Sequence, residues 1–535
     1  MVFWCDNCNV PVVGGVCGNC GGAVKREVSR KLRPVFQDEL IWIGQISGED
    51  LSLLNGVRVW ANGRDFFVDG VPMFRISGGD CYNPFSLEWK KSAKKIRSIQ
   101  PSTKDWVEAN RGIISTKTEE ARAYIRKVFQ KFSHEVDLTT VAFSGGKDSS
   151  VILDLVEKTL GPEQYEAVFI NTKIELPETL LFVEELRNTK KIQVVNHDFE
   201  VIELWKKMGP PSRPIRWCCS VLKTGPYEAY LRELAGSANP RVLTFEGIRK
   251  DESRKRFFYP RTDFETKILA QISARPIFEW SQMDVWLYIF QNQLPFNAAY
   301  LKGFERVGCF ACPFRTKKDE CFTNHIHPEL FSPFLEYLEE FSKGAEIQDF
   351  SEYVREGAWK KRRGGKRSLE PSKTRTVQLE NSVKRFEILE RREGMELENL
   401  LTPLGPKILL GSSSDEMEFL IQNTHWTAKI RISKLGEGLS LEILQVAGDE
   451  KKAISAISYQ VNKYAECVFC KYCQNICPMN AISIREGFFF IDPQKCVHCG
   501  KCVKFVSYGC FAKISKAVGS GRNEYIAASD FRFEK

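Results

Sequence analysis

Cysteine spacing constrains this sequence more than any other feature. The 535 residues include 18 cysteines, and only Cys81 and Cys321 stand apart from a tight group. Such groups are typical of metal sites, whereas disulfide-stapled secreted domains are short and follow a signal peptide. Apolar runs in this chain are shorter than the roughly 18 residues needed to span a bilayer. We expect a metal-binding protein of a reducing cytoplasm, without a membrane partner.

The first cysteine group predicts a zinc ribbon over residues 1–28. Two Cys-x-x-Cys knuckles, Cys5 with Cys8 and Cys17 with Cys20, lie in a glycine-rich stretch. Four thiolates complete a tetrahedral zinc shell, and the glycines permit tight turns that aim backbone amides at the sulfurs. So small a ribbon needs its metal to fold. A rubredoxin-like iron site is the alternative.

The stretch 138–155 predicts a phosphate-binding loop. An apolar strand leads into Ser144-Gly-Gly-Lys-Asp-Ser149, and an amphipathic helix follows. The glycines let the backbone approach an anion, Lys147 adds positive charge, and Asp148 or Ser149 can cap the helix, whose first amides carry partial positive charge. The loop therefore predicts binding of a phosphorylated ligand.

Strand and helix patterns alternate over residues 106–345, which predicts an open parallel sheet. The expected elements are strands at 139–143, 167–171, 194–198 and 241–245, and helices at 119–131 and 149–159. Ligands of such sheets bind beyond the C-terminal ends of the strands, where the loop lies. The expected fold class is multidomain α/β.

The loop and the segments around it resemble the phosphoadenosine phosphosulfate (PAPS) reductase branch of the adenine-nucleotide alpha hydrolase (PP-loop) superfamily. The segments that carry the resemblance follow the loop in order, at residues 171–179, 216–220, 246–253, 276–281 and 308–313. The resemblance implies a central sheet of the alpha hydrolase type. It also implies that the ligand is PAPS, adenylyl sulfate or ATP.

The resemblance also implies roles for individual residues. Arg249, Arg254 and Arg256 offer planar donors for a sulfate or a second phosphate. Glu175 and Glu178 are candidates for a ribose hydroxyl or magnesium, with solvation or helix capping as the alternative. Lys147 and Arg249 are expected to stabilise the departing charge. The predicted nucleotide-binding residues are Ser144, Gly145, Gly146, Lys147, Asp148, Ser149, Glu178, Arg249 and Arg256.

Two cysteine pairs match the arrangement that binds a 4Fe-4S cluster in plant and bacterial adenylyl-sulfate reductases. The resemblance therefore implies a third cluster, in addition to the two described below, held by Cys218, Cys219, Cys309 and Cys312. Four thiolates are what such a cluster requires. A second zinc or a labile disulfide is the alternative.

The sequence departs from the reductases in two ways. Their loop is typically degraded, because they do not cleave ATP, whereas residues 144–149 are intact here. The nucleophilic cysteine of their Glu-Cys-Gly-Leu-His tail is also missing. Cys321 is the nearby candidate nucleophile, since His325 and His327 are positioned to lower its pKa. A core position for Cys321 is the alternative.

Residues 461–516 resemble two-cluster bacterial ferredoxins. The run at 467–478 has the spacing C-x2-C-x2-C-x3-C-P, and a second half follows with a longer gap before its last cysteine. In this family the fourth cysteine of each half ligates the other cluster. The resemblance therefore implies one 4Fe-4S centre on Cys467, Cys470, Cys473 and Cys510, and a second on Cys496, Cys499, Cys502 and Cys477.

Two small domains are expected beside these modules. Residues 29–105 contain β-like runs at 40–44, 57–60 and 65–68, which predict a small β-rich domain. Residues 380–460 predict a small α/β domain, with strand-like runs at 407–411 and 427–432 and a helix at 450–464.

A basic run at 360–367 predicts a solvated linker over residues 346–379, and residues 517–535 form a tail. The alternative for the run is contact with an RNA backbone. The net charge of +9 is modest and agrees with acidic partners such as nucleotides or RNA.

Together these features predict an iron–sulfur oxidoreductase that reduces an adenylyl-activated sulfate to sulfite. An external donor would supply electrons through the ferredoxin domain. The first alternative is an ATP-dependent sulfur transferase that adenylates and thiolates tRNA or another carbonyl acceptor, which explains the intact loop. A redox-sensing subunit with a regulatory nucleotide domain is a further alternative.

Overall fold

The computed structural model describes residues 1–90, 96, 100–264, 270–345, 347–362, 373–379, 383–485 and 487–504. Its strands are β1 (Val2–Cys5), β2 (Val10–Val13), β3 (Arg26–Ser29), β4 (Arg33–Pro34), β5 (Val59–Asn62), β6 (Asp65–Val68), β7 (Val71–Gly78), β8 (Phe85–Trp89), β9 (Leu138–Phe143), β10 (Glu166–Ile170), β11 (Ile192–Val195), β12 (Val242–Glu246), β13 (Thr262–Phe264), β14 (Gln271–Ala274), β15 (Thr374–Val377), β16 (Lys384–Ile388), β17 (Lys407–Ser412), β18 (Glu416–Gln422), β19 (Trp426–Leu435), β20 (Gly438–Gly448), β21 (Ile482–Arg485) and β22 (Phe488–Ile491).

The helices are α1 (Gln37–Ser47), α2 (Thr103–Phe132), α3 (Lys147–Leu160), α4 (Pro177–Arg187), α5 (Val201–Met208), α6 (Trp217–Cys219), α7 (Gly225–Ala235), α8 (Arg254–Phe257), α9 (Gln282–Gln291), α10 (Lys317–Ile326), α11 (Pro328–Gly344), α12 (Phe350–Arg355), α13 (Ala358–Lys361), α14 (Leu397–Leu400), α15 (Glu450–Glu466), α16 (Tyr472–Asn475) and α17 (Lys501–Lys504). Across the part of the chain described, each helix is too short or too polar to cross a membrane.

The chain divides into two units. The first comprises Met1–Asn196 and Pro240–Phe334, and the second comprises His197–Asn239 and Leu335–Lys535.

The first unit is built on a six-stranded sheet in the order β11-β10-β9-β12-β14-β13. All neighbours are parallel except β13, which pairs antiparallel with β14 at one edge. Apolar residues of β9, β10 and β12 are buried with those of α3 and α9 in one hydrophobic core. The fold class predicted from the sequence, multidomain α/β with a central, mostly parallel sheet, is therefore confirmed.

The cysteine ribbon and the β-rich region belong to the same unit. The three-stranded sheet β2-β1-β3 packs with Trp60 and Phe67 of the five-stranded sheet β4-β5-β6-β7-β8, and with Trp106 of α2. α2 begins at a capping box, in which Ser102 and Asp105 exchange side-chain and backbone hydrogen bonds.

The prediction of a β-like run at 40–44 is wrong, because these residues lie in α1. Leu40, Ile43 and Ile46 are all buried on that helix. Their spacing of three residues matches one face of a helix, whereas a strand would bury every second residue.

In the second unit, the strands β15 to β20 form an antiparallel six-stranded sheet in the order β15-β16-β20-β19-β18-β17. The helix α15 follows it, as the sequence predicts at 450–464. Sheet residues such as Ile430 and Ile443, the helix residue Ile457 and several ferredoxin cysteines share one hydrophobic core. The region predicted as a separate domain at 380–460 therefore packs as one body with the ferredoxin region.

The predicted solvated linker is wrong for its first part, where the chain forms α12 and α13. Lys360 is 4% exposed and Arg362 is 3% exposed. The Arg362 guanidinium donates a hydrogen bond to the Pro210 carbonyl and lies over the Phe341 ring, which explains how this basic side chain is accommodated inside the second unit. The rest of the basic run, 363–367, lies outside the described residues.

Candidate functional site

The phosphate loop lies between the C-terminal end of β9 and the start of α3, as the sequence predicts. Gly145 has a φ of 68°, and a Cβ there would lie 2.8 Å from the Thr179 Cγ2 atom, so only glycine fits without strain. The Ser149 hydroxyl accepts a hydrogen bond from the Ser144 amide at 3.2 Å and donates to the Gly146 carbonyl at 2.8 Å. The loop is therefore held in one conformation at the first turn of a helix, where the backbone attracts anions.

A buried charge network surrounds this loop. Asp148 contacts the Lys147 ammonium at 2.9 Å and the Arg249 guanidinium, which also pairs with Asp251. Burial opposes ionisation of Asp148, but the charges of Arg249 and Lys147 hold the pKa of this carboxyl well below its usual value. Two cationic side chains are thereby fixed beside the loop.

Two residues that the sequence analysis did not single out also position the loop. The Tyr300 hydroxyl accepts a hydrogen bond from the Lys147 amide at 3.0 Å. The Asn297 side-chain amide donates to the Gly145 carbonyl at 3.1 Å and to the Thr179 hydroxyl at 2.9 Å. These partners are about 150 residues from the loop in sequence, so a local motif carries no signal for them.

Glu178 lies at the start of α4, which packs against the loop through Thr179. Its carboxylate contacts the Lys302 ammonium and the His327 ring nitrogen Nε2, at 2.9 Å from the latter. Burial opposes ionisation, but these two hydrogen bonds lower the pKa of Glu178 to about 2. The side chain is 6% exposed, so the structure places Glu178 in an internal ion pair beside the loop.

The predicted sulfate-binding arginines have different surroundings. Arg249 is buried at the loop, whereas Arg256 on the short helix α8 pairs with Glu252 and is partly exposed. Arg254 on the same helix is exposed. The structure thus brings Arg249 to the loop and leaves Arg254 at the surface.

Cys309 follows a segment that reaches the loop. Val307 Cγ2 would lie 3.1 Å from a Cβ added to Gly146, and the Phe310 amide donates to the Ile174 carbonyl at 2.8 Å. The Cys309 sulfur is 3.5 Å from the Thr172 hydroxyl. It is 3.9 Å from the Glu175 carboxylate. Cys309 and Cys312 belong to the first unit, whereas Cys218 and Cys219 belong to the second, so their shared cluster stays a prediction from the sequence.

Cys321 is fully buried on α10. Its sulfur lies 3.5 Å from the Asn83 carbonyl and 3.8 Å from the His325 ring, and burial raises the pKa of the thiol to about 12. A nucleophilic thiol needs an accessible thiolate. This geometry gives the predicted nucleophilic role no support.

The N-terminal cysteines form a compact group. The sulfurs of Cys5, Cys8, Cys17 and Cys20 all lie within 4.8 Å of one another, and those of Cys5 and Cys20 are 3.7 Å apart. A hydrogen bond from the Gly22 amide lowers the pKa of the exposed Cys20 thiol to about 7, and the side chains of Cys8 and Cys5 contribute to the same shift. Four sulfurs at this spacing fit a tetrahedral zinc site.

The ferredoxin region brings together the cysteines predicted for the second cluster. Cys477, Cys496, Cys499 and Cys502 line one cavity with apolar side chains such as Ile482 and Ile491. The Ala481 amide donates to the Cys477 sulfur at 3.3 Å, a contact typical of iron–sulfur ligands. This arrangement fits a cluster.

For the first cluster, Cys467 and Cys473 are buried, and burial raises the pKa of Cys467 to about 11. The Phe469 amide lies 3.4 Å from the Cys467 sulfur and donates to it. Phe469 and Lys471 have positive φ angles, which form the tight turns of the cysteine run. Cys510, the predicted fourth ligand, lies outside the described residues.

Comparison with known proteins agrees with this architecture. Residues 139–315 match the phosphoadenosine phosphosulfate reductase domain family, and residues 466–505 match the 4Fe-4S dicluster domain family. An uncharacterized protein of Methanocaldococcus jannaschii is 36% identical over 274 residues, which cover 50% of this chain and 55% of that protein. The chain therefore spans about half the length of this relative.

An adenosine 5'-phosphosulfate reductase of Oceanobacillus iheyensis is 29% identical over 201 residues, covering 35% of this chain and 76% of that enzyme. The crystal structure of a phosphoadenylyl-sulfate reductase from Candida auris is 20% identical, covers 40% of this chain and 99% of that chain, and gives a TM-score of 0.30. The chain thus contains a PAPS reductase domain of the PP-loop superfamily and a 4Fe-4S dicluster ferredoxin domain, together with an N-terminal cysteine cluster that fits a zinc ribbon.

Proposed function

We propose that this protein reduces an adenylyl-activated sulfate, either PAPS or adenylyl sulfate, to sulfite with electrons from its own ferredoxin domain. The observation that carries the proposal is that one chain joins the two domains that such a reaction needs. A PAPS reductase domain binds the nucleotide, and a dicluster domain supplies low-potential electrons when its clusters are bound. An external donor would reload the ferredoxin domain.

The reaction breaks the bond between the sulfate sulfur and the bridging oxygen of the nucleotide phosphate. The sulfur accepts two electrons and leaves as sulfite, and the nucleotide leaves with the bridging oxygen as a phosphate. The loop amides and Lys147 would hold that phosphate. Arg249, fixed beside the loop by Asp148, would stabilise the negative charge that develops on it.

Substrate contact at the loop requires one exchange of partner, at the Lys147 amide. The Tyr300 hydroxyl accepts a hydrogen bond from the Lys147 amide, and the Asp148 carboxylate contacts the side chains of Lys147 and Arg249. A phosphate oxygen offers the same acceptor chemistry as the phenol and the carboxylate. We therefore propose that the phosphate replaces Tyr300 at the Lys147 amide while Asp148 keeps Arg249 in place.

A second candidate is an ATP-dependent sulfur transferase that adenylates tRNA or another carbonyl acceptor. Two observations favour it. The loop at 144–149 is intact, and Cys321, the candidate nucleophile of the reductase mechanism, is buried with a raised pKa. This candidate makes less direct use of the dicluster domain.

An anaerobic assay separates the two candidates. The protein is given reduced ferredoxin, free of dithionite, with PAPS, adenylyl sulfate or ATP in parallel, and sulfite, AMP and pyrophosphate are measured. Reductase function predicts sulfite from one of the two sulfated nucleotides and no dependence on tRNA. Release of AMP and pyrophosphate from ATP only in the presence of tRNA, without sulfite, would establish the second candidate instead.

A further inference from the structure

The segment 300–307, which lies between α9 and α10 in the first unit, contacts the phosphate loop at both of its ends. The Tyr300 hydroxyl accepts a hydrogen bond from the Lys147 amide at 3.0 Å. At the other end, Val307 Cγ2 would lie 3.1 Å from a Cβ added to Gly146. The position of this segment therefore affects the loop directly.

The middle of the segment packs against α1, a helix of the β-rich region. Gly303 has a φ of 97°, and a Cβ there would lie 2.7 Å from the Glu39 Cγ atom on α1. It would also lie 2.9 Å from the Phe322 Cε1 atom on α10. Glycine is therefore required where the segment passes these two helices, because the backbone conformation and the surrounding atoms both exclude a side chain.

A charge network joins the segment to the same region. The Lys318 ammonium donates to the Glu305 carboxylate at 2.6 Å and to the Gly63 carbonyl at 3.3 Å. The Arg33 guanidinium lies 3.8 Å from Glu305 and donates to both carboxylate oxygens of Glu39, at 2.5 and 2.7 Å. Arg33, Glu39 and Lys318 are all buried. The network thus connects Glu305 to β4, to α1 and to the turn between β5 and β6.

The network depends on the charge of Glu305. Its two cations, Arg33 and Lys318, face the two carboxylates of Glu39 and Glu305. Burial opposes ionisation of Glu305, but the charges of Lys318 and Arg33 lower its pKa. Loss of the Glu305 charge would leave Lys318 buried beside a neutral side chain, which weakens the connection between the segment and the β-rich region.

The Tyr300 ring has little room to move by itself. It is 4% exposed and packs edge-on against Trp286, with 5.4 Å between the ring centroids. The Lys147 ammonium also lies over this ring, 5.3 Å from its centroid. Because the ring is buried, its hydroxyl leaves the Lys147 amide only when the segment that carries Tyr300 shifts.

We propose that the segment 300–307 is a latch on the phosphate loop, and that Glu305 is the positioning residue that holds this latch closed from the β-rich region. This inference rests on the proposed function, since it takes the loop as the site of the substrate phosphate and names what controls access to it. In the closed latch Tyr300 occupies the Lys147 amide. A ligand phosphate takes that amide only after the segment has moved against the attraction of Arg33 and Lys318 for Glu305. The latch therefore selects for ligands whose other groups also bind, and against small anions such as inorganic pyrophosphate.

The test is isothermal titration calorimetry of inorganic pyrophosphate into the full-length protein, prepared anaerobically and without nucleotide. Tyr300→Phe keeps the ring and removes the competing acceptor, so pyrophosphate should bind about fivefold more tightly, the factor that corresponds to one net hydrogen bond. Tyr288→Phe is the matched control, because its hydroxyl lies in the same core but donates to Asp154. Its affinity should equal that of the wild type.

Glu305→Gln tests the hold on the segment. It should also tighten pyrophosphate binding, whereas Glu305→Asp, which keeps the charge, should bind nearly as the wild type does. A residue that merely stabilised the fold would give the opposite sign, since a less ordered loop binds anions more weakly. In the double variant of Tyr300→Phe with Glu305→Gln, the second substitution should add less than about twofold, because both changes act on the same hydrogen bond.

Circular dichroism and thermal unfolding establish that each variant is folded. Binding no tighter in Tyr300→Phe than in Tyr288→Phe would overturn the latch, and this comparison leaves the charge network intact even if Glu305→Gln does not fold. Unchanged or weaker binding in a folded Glu305→Gln would overturn the role of Glu305, as would effects of the two substitutions that multiply like those of independent sites.

The outcome is separable from the sulfite assay, because the titration contains neither reductant nor sulfated nucleotide. Tighter pyrophosphate binding in Tyr300→Phe and Glu305→Gln, by a protein that makes no sulfite from either nucleotide, would support the latch and overturn the proposed function. Sulfite formation with no tighter binding in either variant would overturn the latch and leave the reaction in place.

Discussion

Replacing Gly145 by alanine tests whether the loop conformation depends on a close approach to α4. The φ of 68° would cost alanine about 1–2 kcal/mol, because the left-handed region crowds a Cβ. The new Cβ would also lie 2.8 Å from the Thr179 Cγ2 atom, and overpacking of this kind costs about 1–3 kcal/mol. We therefore expect Gly145→Ala to destabilise the first unit by about 2–5 kcal/mol.

Two variants divide this cost into its parts. Gly48→Ala has a similar φ of 72° and no atom within 4 Å of its Cβ, so it should cost only the backbone part. Gly145→Ala combined with Thr179→Ser removes the clashing methyl group but keeps the hydroxyl that accepts from Asn297, so about 1–3 kcal/mol should be recovered. Urea unfolding followed by tryptophan fluorescence gives the differences. A cost of Gly145→Ala equal to that of Gly48→Ala, with no recovery from Thr179→Ser, would refute the close approach.

Further predictions concern other parts of the molecule. The pKa of Glu178 is lowered from 4.5 to about 2. The ionised carboxylate therefore stabilises the fold above pH 4.5, and this contribution is lost as the pH falls towards 2. Between these pH values, Glu178→Gln should lose less stability than the wild type in acid unfolding. Cys321→Ser should keep most turnover, and thiol labelling of the native protein should not modify Cys321; loss of turnover at normal stability would return this thiol to the mechanism. Chelation of the metal at the four N-terminal cysteines should lower the melting temperature of the first unit, and an unchanged melting temperature after verified zinc loss would contradict a structural role. Iron analysis should give about twelve irons per chain, whereas about eight would leave Cys218 and Cys309 without a cluster.

Local patterns account for what the sequence predicted well. The loop at 144–149 and the cysteine runs depend on neighbouring residues, and the structure places the loop at the end of β9 and gathers four ferredoxin cysteines around one cavity. The alternation of strands and helices likewise predicted that β9, β10 and β12 belong to a parallel sheet.

Tertiary contacts account for what the sequence did not predict. Lys360 and Arg362 belong to a basic run that predicts a solvated linker, yet both are buried. The Pro210 carbonyl accepts a hydrogen bond from Arg362, whose guanidinium lies over the Phe341 ring, and the Lys360 ammonium lies over the Trp359 ring. Tyr300 reaches the Lys147 amide across a sequence separation of 153 residues. The burial of Cys321 follows from packing against the β-rich region, at Asn83, which the surrounding sequence does not indicate.

The most direct test of the central proposal is a single turnover with stored electrons. The iron–sulfur clusters of the anaerobic protein are reduced, the reductant is removed, and adenylyl sulfate or PAPS is added. We predict that one of the two nucleotides reoxidises the clusters and releases one sulfite for every two electrons lost. Clusters that stay reduced with both nucleotides, and no sulfite, would contradict the proposed function.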